Sequence, residues 1–140
     1  MDSPLRGDAE IRSLLMAAEM VYPEMPAVKR VILLGAMTSA YYEASDQERE
    51  KRILPRFKQL VDEWSELGAR VLGTLDDDLF MVGEPASTNF TFYLLFDVDR
   101  LETVVEMIQR IRESVGGVRM DRYVRFEVRI GRPFFLIEPN

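Results

Sequence analysis

Residues 71–97 read VLGTLDDDLFMVGEPASTNFTFYLLFD, and the fold turns on how this stretch is parsed. A short apolar run ends in Asp76, Asp77 and Asp78. A polar break follows, with Pro85, Ser87, Thr88 and Asn89, and then Phe90–Phe96, apolar at nearly every position. A strand apolar on both faces belongs in the middle of a sheet, covered on each side. The stretch therefore reads as a hairpin with its inner strand at the C-terminal end and an acidic triplet close to that core.

Working outward, Val28–Thr38 (VKRVILLGAMT) is a second run apolar on both faces, and it predicts another central strand. Gly35 within it predicts a bulge or a close backbone approach. Tyr41 and Tyr42 follow at its exit. Ser45 and Glu48 form a Ser-x-x-Glu capping box. Ile53, Phe57, Leu60, Val61, Trp64 and Leu67 then mark one helical face up to Gly68, with Pro55 expected to kink or restart the helix. Trp64 lies on that stripe and reads as core. Arg70–Asp76 is the second predicted strand and Phe90–Asp97 the third. Asp99 and Glu102 suggest another capping box, opening a helix along Leu101–Val115 that stops at Gly116-Gly117. Arg119–Gly131 alternates strictly and predicts the last strand, with Met120, Arg122, Val124, Phe126, Val128 and Ile130 on one face.

The predicted order is strand-helix-strand-strand-helix-strand, the ferredoxin-like βαββαβ plan with a four-stranded antiparallel sheet. That plan puts the first and third strands in the centre, where the two-sided apolar runs are. Residues 1–26 read as a separate helical arm, with a helix over Ala9–Val21 broken by Pro23 and Pro26, ahead of an α+β domain at 27–140. Both main helices would cover one face of the sheet. The other face would then expose a large apolar patch, which a homodimer closing into an α+β barrel would bury.

Composition narrows the chemistry. The chain has 140 residues, 47% hydrophobic and 30% charged, with net charge −6. An acidic balance disfavours nucleic acid and anionic membranes as partners. No apolar run is long enough to span a bilayer, and the N-terminus lacks a signal-peptide layout, so a cytoplasmic protein is expected. Cysteine and histidine are both absent. That removes thiolate and imidazole catalysis and their metal sites, so no transition metal and no cofactor are expected, and a hard cation held by the oxygens of Asp76–Asp78 is only a lesser reading. Carboxylates, Tyr, Arg and Lys remain.

Three constellations compete for a site. Asp76 and Asp78 share a face of a strand and Asp77 takes the other. Crowded carboxylates can act as acid or base, against the competing reading of a solvated acidic turn. The polar face of the last strand carries Tyr123, Arg125, Glu127 and Arg129, then Arg132, as an anion-binding set or as an ion-pair ladder. Tyr41, Tyr42, Phe80, Phe90, Phe92 and Tyr93 with Met81 suit a flat apolar ligand, or are simply core.

The segments Leu72–Asp78, Met81-Val82-Gly83, the Tyr93 strand and Arg122-Tyr123 through Glu127-Val128-Arg129-Ile130-Gly131-Arg132 together resemble the IacB-like family. These are small proteins encoded with bacterial indole-3-acetate degradation enzymes. The resemblance spans residues 28–132. It implies a dimeric ferredoxin-like α+β barrel and a role on a small aromatic metabolite. The reading is a cofactor-independent enzyme that isomerises, dehydrates or oxygenates an aromatic or heteroaromatic acid. Asp77, Asp78, Tyr93 and Glu127 are the candidate catalytic residues; Tyr41, Met81, Arg122, Arg129 and Arg132 are the candidate ligand-binding ones. The alternative is a non-catalytic dimer that binds such a metabolite.

Overall fold

A computed structural model describes residues 26–79, 82–83 and 90–138. The predicted arm helix over Ala9–Val21, together with Phe80, Met81 and the polar break at 84–89, lies outside the described residues. Strand β1 (Lys29–Met37) leads through a short helix α1 (Ser39–Glu43) to α2 (Asp46–Glu48). A π-helical turn (Arg49–Ile53) and α3 (Leu54–Leu67) continue from it, and β2 (Arg70–Asp76) follows. Then come β3 (Phe92–Val98) and α4 (Leu101–Arg112). The chain ends its regular structure with a small hairpin of β4 (Ser114–Val115) and β5 (Val118–Arg119), one helical turn α5 (Met120–Tyr123) and β6 (Val124–Gly131).

The main sheet is antiparallel in the order β2-β3-β1-β6, which is compatible with the ferredoxin-like plan. The two doubly apolar runs occupy its centre, as their pattern predicts. On one face Val31, Leu33, Phe96, Val98 and Val124 pack with Ile53, Leu60 and Trp64 of the first helical layer and Val104, Met107 and Ile111 of α4. Trp64 is 3% exposed and its Nε1–H donates to the Met107 carbonyl at 3.2 Å, so its one polar atom is satisfied within the core. Gly35 is the predicted close approach. A Cβ there would lie 2.1 Å from the Phe92 ring, and the pairing of β1 passes through it without a bulge.

Local signals decide several boundaries. The Ser45 side chain accepts a hydrogen bond from the Glu48 amide, the forward half of the predicted capping box. Pro55 does not break the helical path: the backbone stays helical from 46 to 67, and Pro55 follows directly on the π turn, in the first turn of α3. Gly68 ends α3 in the left-handed region at φ 114°.

Four expectations need correction. The third strand begins at Phe92 rather than Phe90. The Asp99–Glu102 capping box does not form: Arg100 is the N-cap, and Asp99 is drawn away into an ion pair with Arg70 at 3.1 Å. Helix α4 stops at Arg112, because Gly116 and Gly117, at φ 59° and 82°, make the two-residue turn of the β4–β5 hairpin instead of a helix stop. The last strand starts at Val124, not Arg119. Met120, 1% exposed, is anchored in the core by the helical turn α5, and this breaks the apparent alternation. Arg122 and Tyr123 therefore leave the sheet.

Candidate functional site

The helix-covered face uses every second residue of the central strands, so the other residues form an opposite, open face. Register sets its rows. Leu75, Tyr93, Leu34 and Glu127 lie side by side across β2, β3, β1 and β6. Gly73, Leu95, Ile32 and Arg129 form the next row, and Arg70, Asp97, Arg30 and Gly131 the one after. Directly opposed side chains in such rows sit within reach of one another. The open face thus has an apolar middle with charge at both ends. Ile32, Gly73, Thr74, Leu75, Tyr93 and Leu95 line a shallow, almost wholly apolar hollow of about 440 Å³.

At one end of this hollow stands the acidic triplet. Asp76 closes β2 opposite Phe92. The Asp77 amide donates to the Thr91 carbonyl at 2.9 Å, which extends the pairing by one residue and carries Asp77 onto the open face. There the Tyr93 hydroxyl donates to the Asp77 carboxylate at 2.9 Å, and sits 3.2 Å from the Phe90 carbonyl. The Asp77 hydrogen bond, then partial burial and the nearby negative charge, push the Tyr93 phenol above its ordinary value of 10.0. Tyr93 is therefore a neutral donor at physiological pH. Asp78 is exposed, one residue beyond this pair.

At the other end, Arg30 is held by Asp97 at 3.0 Å and by Glu138 at 2.7 Å. These hydrogen bonds, Asp97's first, tighten the guanidinium's hold on its proton. Along β6, Arg129 and Glu127 pair with each other at 2.7 Å, so the predicted ladder exists there as a local ion pair beside the apolar middle. Arg125 shares a row with Ala36 and stacks 5.2 Å from the Phe90 ring centre.

The structure brings Asp77, Tyr93, Glu127 and Arg129 to one face and places the other candidates elsewhere. Tyr41 packs on the helix-side core, with the Arg49 guanidinium 5.7 Å from its ring centre. Arg122 stacks on Tyr123 and lines a different hollow of about 510 Å³ with Arg119 and Asp121. Arg132 is exposed past the end of β6, and Met81 lies outside the described residues. Among the described residues no three acidic side chains are grouped as a metal cage requires. No helix among them is long and apolar enough to cross a membrane.

Sequence reasoning passed over Ile32, Leu75 and Leu95 as site residues, although they line the hollow. The available signal was alternation within β3, where Tyr93, Leu95 and Asp97 share a side. It also passed over the exposed run Phe134-Phe135-Leu136-Ile137, which leads to Glu138 and its bond to Arg30.

No family model matches the chain, and no curated protein is significantly similar to it. Among solved structures, one described as the crystal structure of methylated RPA0582 protein aligns with a TM-score of 0.50 at 14% identity. The alignment covers 96% of this chain and 97% of that one. At that identity the likeness concerns the fold alone.

Proposed function

We propose that the open face of the sheet binds an aromatic or heteroaromatic carboxylic acid and that Asp77 moves a proton on it, without a cofactor. The observation that carries this reading is the Tyr93–Asp77 hydrogen bond of 2.9 Å at the rim of the apolar hollow. The hollow offers a flat apolar seat for a ring. Asp77 acts as the general base, and the neutral Tyr93 hydroxyl orients its carboxylate. Arg129, one row away, anchors the ligand's carboxylate by sharing its guanidinium with Glu127. An isomerisation or dehydration fits this set, because both need only a positioned base and acid; a cofactor-free oxygenation would begin from the same proton abstraction.

Two further parts belong to the reading. The open faces of two copies pair in a homodimer and close the hollow into a barrel, which removes water from the site. Support comes from the apolar middle of that face and from Leu75, 59% exposed on the edge strand. The IacB-like resemblance supplies the substrate class, a small aromatic metabolite of an intracellular catabolic pathway.

The test is incubation of the purified protein, with no added cofactor, with a panel of indole and benzenoid carboxylic acids, followed by chromatography. Turnover lost by a factor of about 10² to 10⁴ in Asp77→Asn supports the reading. Saturable binding with no turnover, abolished by Leu95→Lys, would mean a carrier rather than an enzyme. Neither turnover nor binding, with Leu95→Lys indistinguishable from the parent, would remove the open face as the site.

A further inference from the structure

On the helical side of the molecule, away from the open face, the π turn and the start of α3 meet the β4–β5 hairpin around a hollow of about 350 Å³. Lys51, Arg52, Arg56 and Gln59 line it together with Gly116 of the hairpin turn. All the charged residues lining it are cations. Arg52, Arg56 and Gln59 stand at helical spacings of four and three, so they share a face. The π turn Arg49–Ile53, which carries Lys51 and Arg52 and leads into Arg56, is a feature that recurs at functional sites.

Two observations point to a ligand. Arg56 is 4% exposed, and its Nε–H is buried with no acceptor among the described residues. Its two terminal nitrogens are occupied: Nη1 reaches Glu63 at 2.7 Å and Gln59 at 3.3 Å, and Nη2 reaches Glu63 at 3.5 Å. Glu63 also serves Arg110 at 3.0 Å, so one carboxylate answers two arginines. A buried charged donor without an acceptor is rare and asks for an explanation. Second, Arg52 is tied to the hairpin turn. The Arg52 Nη2 donates to the Gly116 carbonyl at 2.9 Å, and a Cβ on Gly117 would lie 2.8 Å from that nitrogen. Arg52 is thus held in place at the rim, while no carboxylate among the described residues pairs with it or with Lys51.

We propose that this hollow is a binding site for a phosphate-bearing small anion, distinct from the open sheet face. Lys51 and Arg52 contribute charge and donors from the rim, and Arg56 adds its charge from the floor. A tetrahedral anion with three free oxygens can meet donors arriving from these separate directions, whereas a planar carboxylate meets one fork. The net negative charge of the whole chain, −6, makes a local cationic hollow selective for a small anion over a polyanion.

The experiment is a titration of the full-length chain with inorganic phosphate, followed by ¹⁵N NMR at constant ionic strength with chloride as the balancing anion. Expected are saturable shifts confined to the backbone amides of 51–59 and 115–118. Lys51→Gln and Arg52→Gln should each weaken binding about tenfold or more. Arg119→Gln, a control in the neighbouring hollow, should leave it unchanged. Arg56 itself is left intact because its pair with Glu63 belongs to the fold. Phenyl phosphate distinguishes the source within the class: tighter binding than phosphate marks an organic monoester as the ligand, and equal binding marks the free ion. Acetate binding as tight as phosphate would overturn the assignment. So would unsaturable shifts spread over arginines outside the hollow, or Arg119→Gln weakening binding as much as Arg52→Gln.

Discussion

Replacing Gly35 by Ala tests the contact that sets the centre of the sheet. Gly35 faces Phe92 on β3 and Phe126 on β6, and a Cβ would meet three Phe92 ring atoms at 2.1, 2.5 and 2.7 Å. The ring cannot simply swing away, because Phe57 and Phe126 hold it at centroid distances of 5.8 and 6.5 Å. Forcing an extra methyl into a packed core costs about 1–3 kcal/mol, and contacts this short belong near the upper end. Against it stands about 0.5–1 kcal/mol, returned because Ala loses less backbone freedom than Gly on folding. The net loss is about 2 kcal/mol. For a domain of this size that is a fall of about 8 °C in Tm, at about 4 °C per kcal/mol. The assay is thermal and denaturant unfolding of Gly35→Ala in two backgrounds, the parent and Phe92→Leu. Once the ring is gone the added methyl has room, so the same substitution should be nearly neutral there, a coupling of about 1–2 kcal/mol. An unchanged or raised Tm in the parent, or an equal cost in both backgrounds, refutes the argument that the Phe92 ring requires glycine.

Three other outcomes are expected. In ultraviolet titration Tyr93 should ionise above 10.0, and Asp77→Asn should bring it back towards that value. Because its folded value is raised, the stability it contributes is complete below the unfolded value near 10 and is lost as pH climbs through the higher folded one. Glu63 has the opposite sign. The Arg56 hydrogen bond, and then Arg110's, outweigh its burial and hold its carboxylate below the ordinary 4.5. Its contribution is complete above about 4.5 and is lost as pH falls through the lower folded value, so Glu63→Gln should flatten the acid limb of stability against pH. Light scattering at micromolar concentration should show a dimer that Leu75→Asp or Leu95→Asp converts to monomer; a parent protein already monomeric would remove the barrel.

Much of the architecture is legible in the sequence because its signals are local or compositional. Val31–Leu34 and the Phe92–Phe96 run are apolar on both sides, so they had to be central, whatever the connections. The edge strand Arg70–Asp76 is bounded by Gly68 and by the aspartates, and the structure keeps both bounds. Gly35, the Ser45 cap and the buried Trp64 each follow from the chemistry of one residue and its near neighbours. The failures share a cause. Asp99 had the right spacing for a cap, but an arginine 29 positions away competed for it. Met120 and Arg122 continued an alternating pattern, but the core claimed Met120 and bent the chain.

The site is less legible for the same reason. Aspartates, tyrosines and arginines name the possible chemistry, and the absence of Cys and His narrows it, but neither says which of them meet. That was decided by register. Antiparallel pairing sets Tyr93 beside Leu34, Glu127 beyond it, and Asp77 16 residues back within 2.9 Å of the Tyr93 hydroxyl. The same pairing leaves Tyr41 on the opposite side of the sheet and the turn at Met120 carries Arg122 off it. Side-chain identity is a property of one position, and the sequence states it. Proximity between distant positions comes from strand pairing and from the long-range packing that selects it, and only the folded chain contains those.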